Sequence, residues 1–200
     1  QNLAKQIENV LLYNVPVVVA INVFPTDTPA EIEAVRQVSL AAGARAAEVA
    51  NNWAEGGAGA TDLAAAVWEA AEEGAPNFEY LYPSDVPLTD KIEAIATKVY
   101  GADGVDYLPL ARKQLQQYED LGFGHLPICM AKTQYSLSAD ASLKGRPSGF
   151  RIPIREVRLS AGAGFVTPIC GEMRTMPGLP SHPGGENIDL DANGEIVGLF

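Results

Sequence analysis

An α/β fold built on a parallel sheet is the class this sequence predicts, on three observations. The run Val15–Asn22 (VPVVVAIN) is continuously apolar and β-branched, the pattern of a strand covered on both faces. The first fifty residues alternate helix, strand, helix, strand, which is how parallel α/β units are assembled. Hydrophobic residues make up 47% and charged residues 20% of 200 residues, enough to bury a core in an ordinary globular chain. Gly74, Pro76 and Asn77 mark a break, so the chain divides into a parallel-sheet α/β segment, 1–75, and a smaller mixed α/β subdomain, 76–200.

The elements follow in order. Leu3, Ile7, Val10 and Leu11 recur at helical spacing and predict an amphipathic first helix. The strand to Asn22 comes next. Thr28-Pro29-Ala30-Glu31 then opens a helix: Thr28 caps, Pro29 suits the first helical position, and Glu31 completes a capping box. Ile32, Val35 and Val38 are expected to face inward, with Gly43 as the stop. Ala46–Val49 reads as a second strand, Ala54–Ala60 as a flexible loop, and Asp62–Glu73 as a helix. In the second half, helices are expected near Leu88–Tyr100 and Pro109–Leu121, a buried strand at Leu126–Ala131, and a polar loop from Ser136 to Pro147. Phe150, Ile152 and Ile154 alternate as in a strand, but the pattern slips at Arg155-Glu156. That slip predicts a bulge, and Pro153 predicts an edge strand. Gly-rich Ser160–Gly164 connects to a strand at Phe165–Cys170. A hairpin turning at Asn193-Gly194 closes the chain.

Charge and cysteine usage exclude several classes. Fourteen basic and 25 acidic residues, net −11, argue against nucleic acid or an anionic membrane as the main partner. No apolar run nears the roughly 18 residues of a membrane span. The opening Gln-Asn-Leu-Ala-Lys has no initiator Met and no signal-peptide pattern, as expected of an excised segment rather than a secretory precursor. Cys129 and Cys170 lie in apolar contexts without CxxC spacing and are expected to be two buried free thiols in a reducing, cytoplasmic setting. His125 and His182 are the only histidines and neither neighbours a cysteine, so no zinc site is expected. Between Lys132 and Arg174, seven basic residues (Lys132, Lys144, Arg146, Arg151, Arg155, Arg158, Arg174) stand against three acidic ones (Asp140, Glu156, Glu172). Such a strip suits an anionic small molecule or, equally, cross-strand pairing with acidic neighbours.

Ligands of parallel α/β sheets gather at the carboxyl ends of the strands. Here those ends are Asn22–Asp27 and Asn51–Trp53, and each presents an aromatic ring: Phe24, stiffened by Pro25, and Trp53, followed by glycines. Two such rings on neighbouring strands suit the faces of a flat heterocycle, each adding roughly 0.5–1.5 kcal/mol of stacking. Thr26 and Asp27 stand ready for its polar edge, although Asp27 equally suits a local turn bond ahead of the Thr28 cap. No GxxxxGK[ST] or GxGxxG motif occurs, and no nucleophile–base constellation can be identified, so no catalytic residue is assigned.

Several long motifs resemble formate–tetrahydrofolate ligases (10-formyltetrahydrofolate synthetases): Val17–Thr28 (VVVAINVFPTDT), Trp53–Gly57 (WAEGG), Tyr100–Val105 (YGADGV), Ile128–Ser136 (ICMAKTQYS), Arg155–Phe165 (REVRLSAGAGF), Met176–Pro180 (MPGLP) and Gly198–Phe200. The resemblance runs the length of the chain and marks it as the C-terminal portion of such an enzyme, with 1–75 completing the nucleotide- and folate-binding region. It implies an ATP-dependent ligase that joins formate to tetrahydrofolate through formyl phosphate, with MgATP and tetrahydrofolate as substrates and a monovalent cation as activator. It also implies a cytoplasmic homo-oligomer whose phosphate loop lies in an N-terminal region outside this chain, so that the 200 residues are inactive alone. By the same resemblance Phe24 and Trp53 form the folate clamp, with Pro25, Thr26 and Asp27 as neighbours. Val23 departs from the family pattern, where a basic residue is expected, and so does His182-Pro183-Gly184-Gly185. Two competing readings are a nucleotide-binding switch and a ligand-free assembly module. Asn22 to Asp27 loosely matches a guanine-reading loop, but the spacing is too long and the lysine is missing.

Overall fold

A computed structural model describes residues 1–72, 78–131, 135–173 and 181–199. The order is helix α1 (Asn2–Leu11), strand β1 (Val18–Asn22), α2 (Pro29–Ala41), β2 (Ala46–Ala50), α3 (Asn52–Glu55) and α4 (Thr61–Glu72). Then come α5 (Leu88–Ala94), β3 (Val105–Tyr107), α6 (Pro109–Asp120), β4 (Ile152–Ser160), β5 (Phe165–Cys170) and a hairpin of β6 (Asp189–Leu190) and β7 (Ile196–Val197). The α/β class is as the sequence predicts.

β1 and β2 pair in parallel, in register from Val18 opposite Ala46 to Asn22 opposite Ala50. α1 turns Ile7 and Leu3 onto Val17, Val19 and Ala44, which buries its apolar stripe. Its polar face ties the first half of the chain to the second. Lys5 Nζ donates to Lys98 O (2.6 Å), Asn2 Nδ2 to Gly145 O (2.9 Å), and both Arg146 guanidinium nitrogens to Glu8 (2.7 Å each). The capping box at α2 is formed: Thr28 Oγ1 accepts from Glu31 N (3.3 Å) while Glu31 Oε2 accepts from Thr28 N (2.9 Å). Gly43, at φ +99, ends the helix in a conformation that favours glycine.

Three expectations in this half are corrected. Val38 points outward, because the stripe facing the sheet runs Ile32, Val35, Ser39, and the small Ser39 is fully buried with its hydroxyl on Val35 O (2.8 Å). β1 is not covered on both faces, since Ala20 and Asn22 are exposed. Residues 54–60 are not a loose loop: α3 passes into a 3-10 turn, Gly56–Ala60, and directly on into α4. Gly59 is small for a packing reason. Asn51 N donates to Gly59 O (2.8 Å), and a Cβ at 59 would sit 2.5 Å from Asn51 O.

In the second half, β3 and β4 are parallel and β4 and β5 antiparallel, in the order β3-β4-β5. Leu88, Ile92, Ala111 and Leu115 from α5 and α6 pack on Ile152, Ile154, Val157 and Val166 to make the main core. Burial of such aliphatic side chains contributes about 1.5–3 kcal/mol apiece. The helix expected to run to Tyr100 does so through a π turn, Ile95–Val99. The bulge lies between Ile154 and Glu156, where the slipped alternation puts it.

Pro153 does not mark an edge, because β4 is the central strand. Ile152 and Ile154 make the bonds to β3, which turns position 153 toward β5, past whose end Pro153 O accepts from Gly171 N (2.8 Å). Its missing N–H therefore breaks no ladder. Leu126–Ala131 is not a buried strand either: two isolated parallel bridges, Ile128 to Val166 and Ala131 to Ile169, replace it, and Pro127 and Cys129 are exposed. The three-residue β3 is too short to carry a periodicity of its own in the sequence. Neither cysteine is in a disulfide, but only Cys170 is buried, whereas Cys129 is exposed. The terminal hairpin forms, with Gly194 at φ +81 in its turn.

Candidate functional site

The carboxyl ends of β1 and β2 bring Phe24 and Trp53 together. β1 runs on past Asn22, where Val23 N donates to Ala50 O (3.3 Å), and then breaks into a tight turn. In that turn Asp27 N donates to Phe24 O (3.0 Å) and Asp27 Oδ2 accepts from Phe24 N (2.9 Å). Asp27 thus makes the local turn bond, with one carboxylate oxygen, just ahead of the Thr28 cap. Pro25 and Thr26 form the exposed corner of the turn. On the neighbouring strand, Asn51 precedes α3 and donates from Nδ2 to Glu55 Oε1 (2.9 Å), so the short helix carrying Trp53 is braced at both ends.

The rings are near-parallel, with 6.1 Å between centroids and 21° between planes, and are 59% (Phe24) and 58% (Trp53) exposed. Neither belongs to the core. A flat ring held between two others needs two van der Waals thicknesses, about 7 Å. The separation of the planes cannot exceed that of the centroids, so here the rings stack on each other and must part by at least about 1 Å to admit a heterocycle. The indole is also held from behind, as Trp53 Nε1 donates to Val23 O (2.8 Å). That bond is invisible to sequence reasoning because a backbone carbonyl accepts it. It also makes the unexpected Val23 unremarkable, since the anchoring atom is common to every residue type. Gly59 is the one further contributor with a sequence signal, a glycine pressed against Asn51 within a run of glycines.

The basic strip is largely spent within the chain. Arg151 Nε bonds Asp106 (2.8 Å), which raises the guanidinium pKa further, and Arg158 bonds Glu156 (2.9 Å). Arg155 Nη2 lies 3.7 Å from Glu156, and Arg146 holds Glu8 below its ordinary pKa through their hydrogen bonds. Lys132 and Arg174 lie outside the described residues. Lys91 is fully buried, and its Nζ donates to three carbonyls, Ser84 O (2.7 Å), Gly124 O (2.7 Å) and Leu126 O (3.1 Å). Burial lowers its pKa, while Glu119 and Asp85 act the other way. Among the described residues no group of three or more His, Cys, Asp or Glu could hold a metal, and no helix is long and apolar enough to cross a membrane.

A family model described as formate–tetrahydrofolate ligase matches residues 1–200. The chain belongs to that family. It is 58% identical over 200 residues to the formate–tetrahydrofolate ligase of Saccharopolyspora erythraea, covering 100% of this chain and 35% of that protein. It is 57% identical over 198 residues to the ligase of Roseiflexus sp., covering 99% and 35%. Formate–tetrahydrofolate ligase 3 of Rubrobacter xylanophilus is 53% identical over 208 residues, covering 100% and 36%. The chain therefore spans about a third of the length of the ligases it matches.

Proposed function

We propose that this chain supplies the folate-binding wall of an ATP-dependent ligase that makes 10-formyltetrahydrofolate from formate and tetrahydrofolate. The observation that carries the reading is the exposed, near-parallel Phe24–Trp53 pair at adjoining strand ends, with the indole fixed by Val23 O. In this reading the pterin bicycle displaces the ring–ring contact and lies between the two faces. Pro25 stiffens the turn, while Thr26 and the Asp27 oxygen not used by Phe24 N meet the polar rim.

The chain holds no GxxxxGK[ST] loop, so handling of MgATP and of formyl phosphate falls to the two thirds of the family's length outside it. No turnover is expected of the 200 residues alone. The same reading makes the intact enzyme a cytoplasmic homo-oligomer activated by a monovalent cation.

Tetrahydrofolate titrated into the Trp68→Phe variant, which leaves Trp53 as the sole fluorophore of its type, should quench indole emission saturably. Formyltransfer from formate and MgATP should be undetectable. A flat titration refutes the wall, and measurable turnover refutes the division of labour.

A further inference from the structure

The terminal hairpin is a sheet of its own. Among the described residues β6 and β7 pair only with each other, Asp189 opposite Val197 and Leu190 opposite Ile196, and every residue from 181 to 199 is exposed. A lone two-stranded hairpin is marginally stable in water, so it opens by local unfolding while the rest of the chain stays folded. One residue closes its loop. Asp191 Oδ1 accepts from Asn193 N (2.8 Å) and Glu195 N (2.9 Å). Asp191 N donates to Glu195 O (2.9 Å), and Asp191 O accepts from Gly194 N (3.0 Å). Gly194 sits at φ +81, in the left-handed region that glycine enters without a steric penalty. The turn therefore selects a glycine after Asn193, and Asn193-Gly194 is the one Asn-Gly pair in the sequence.

That pair is also reactive. A five-membered ring closes when the Gly194 nitrogen, having lost its proton, attacks Asn193 Cγ. The Cγ–Nδ2 bond breaks and ammonia leaves. Water, the only co-reactant, then opens the succinimide at either carbonyl to give aspartate or isoaspartate. We propose that Asn193 is a site of spontaneous deamidation and that Asp191 is its brake. The closed turn holds the Gly194 N–H on Asp191 O, and each opening of the hairpin releases that nitrogen to attack. Asn187, equally exposed in the same tail, is followed by Ile188, whose β-branched side chain crowds the corresponding nitrogen. Both products put a new carboxylate beside Asp191 and Glu195, and isoaspartate also adds a methylene to the backbone. Like charges repel and a lengthened backbone shifts the register, so modification holds the hairpin open. This inference does not depend on the folate reading.

The test is a time course of the 200-residue chain at mildly alkaline pH. It is read by peptide mapping with mass spectrometry and by methyl transfer from a protein isoaspartyl methyltransferase, which labels the isoaspartyl product. Asn193 should convert at least about tenfold faster than Asn187. The methyl label should appear in the peptide carrying residue 193. It should be absent from that peptide in Asn193→Gln, whose longer side chain would have to close a six-membered ring. Asp191→Ala deletes two of the bonds that close the turn and should convert about threefold faster than the parent, or more. If either variant fails to fold, the parent's own time course decides. Conversion at Asn193 no faster than at Asn187, label confined to other peptides with Asn193 intact, or an Asp191→Ala rate equal to or below the parent's would overturn the proposal.

Discussion

Replacing Trp53 separates two things the indole does, because its N–H and its face contact different partners. Trp53→Phe deletes the 2.8 Å bond to Val23 O and keeps an aromatic face beside Phe24. With the ring 58% exposed, water replaces the lost partner, so the effect on tetrahydrofolate affinity should be about 1 kcal/mol, or roughly fivefold. Trp53→Ala loses that bond and also one wall of the slot. Stacking removes about 1 kcal/mol. Roughly 50 Å² of lost apolar contact removes about another 1 kcal/mol. Against this, Phe24 no longer has a ring partner to be parted from, which returns about 1 kcal/mol. The net loss is about 2 kcal/mol, or roughly thirtyfold. Isothermal calorimetry of tetrahydrofolate binding to the three proteins reads both values. If Trp53→Phe loses as much as Trp53→Ala, the anchoring bond rather than the aromatic face is what matters, and unchanged affinity in both removes the clamp altogether.

Lys91→Met should cost about 3 kcal/mol, because three partly buried carbonyls lose their donor; at 2–4 °C per kcal/mol for a chain of this size, calorimetry should show a fall of about 10 °C in Tm. Gly59→Ala drives a methyl to 2.5 Å from Asn51 O, so about 1–3 kcal/mol of stability should be lost and tetrahydrofolate affinity should fall with it, as the brace behind Trp53 shifts; affinity equal to the parent's would detach Gly59 from the site. Thr28→Ala should lower stability by about 1 kcal/mol at neutral pH. Hydrogen bonds from the Thr28 side chain and then its backbone hold the Glu31 pKa below its usual range. That contribution is complete above the ordinary glutamate pKa and fades as the pH drops through the depressed one. The Tm gap between parent and Thr28→Ala should therefore narrow below about pH 4, and a gap that widens there would show the carboxylate to be uninvolved.

Much of this architecture could be read before any coordinates. Thr28-Pro29-Ala30-Glu31 specifies a helix start by local chemistry alone, and it formed as expected. The slip at Arg155-Glu156 located a bulge, because alternation on a strand has no other way to lose step. The strand ends carrying Phe24 and Trp53 were legible from the rule that places ligand sites there, and the rings do meet. What escaped depends on neighbours distant in sequence. Val38 points out because the stripe runs through Ser39, and only the sheet beneath decides which stripe is used. Pro153 sits in a central strand because its missing donor falls beyond the end of β5. Cys129 is exposed because Leu126–Ala131 makes two bridges in place of a ladder. The arginines between 146 and 158 are matched by Glu8, Asp106 and Glu156, two of which come from elsewhere in the chain.

The three carbonyls around Lys91 form a socket of the sort in which proteins hold potassium or sodium. Here the occupant is tethered through four methylenes to α5. It cannot be diluted out, chelated or exchanged for another ion. The junction of the 84 and 124–126 loops with that helix should accordingly keep its shape whichever alkali salt surrounds the protein.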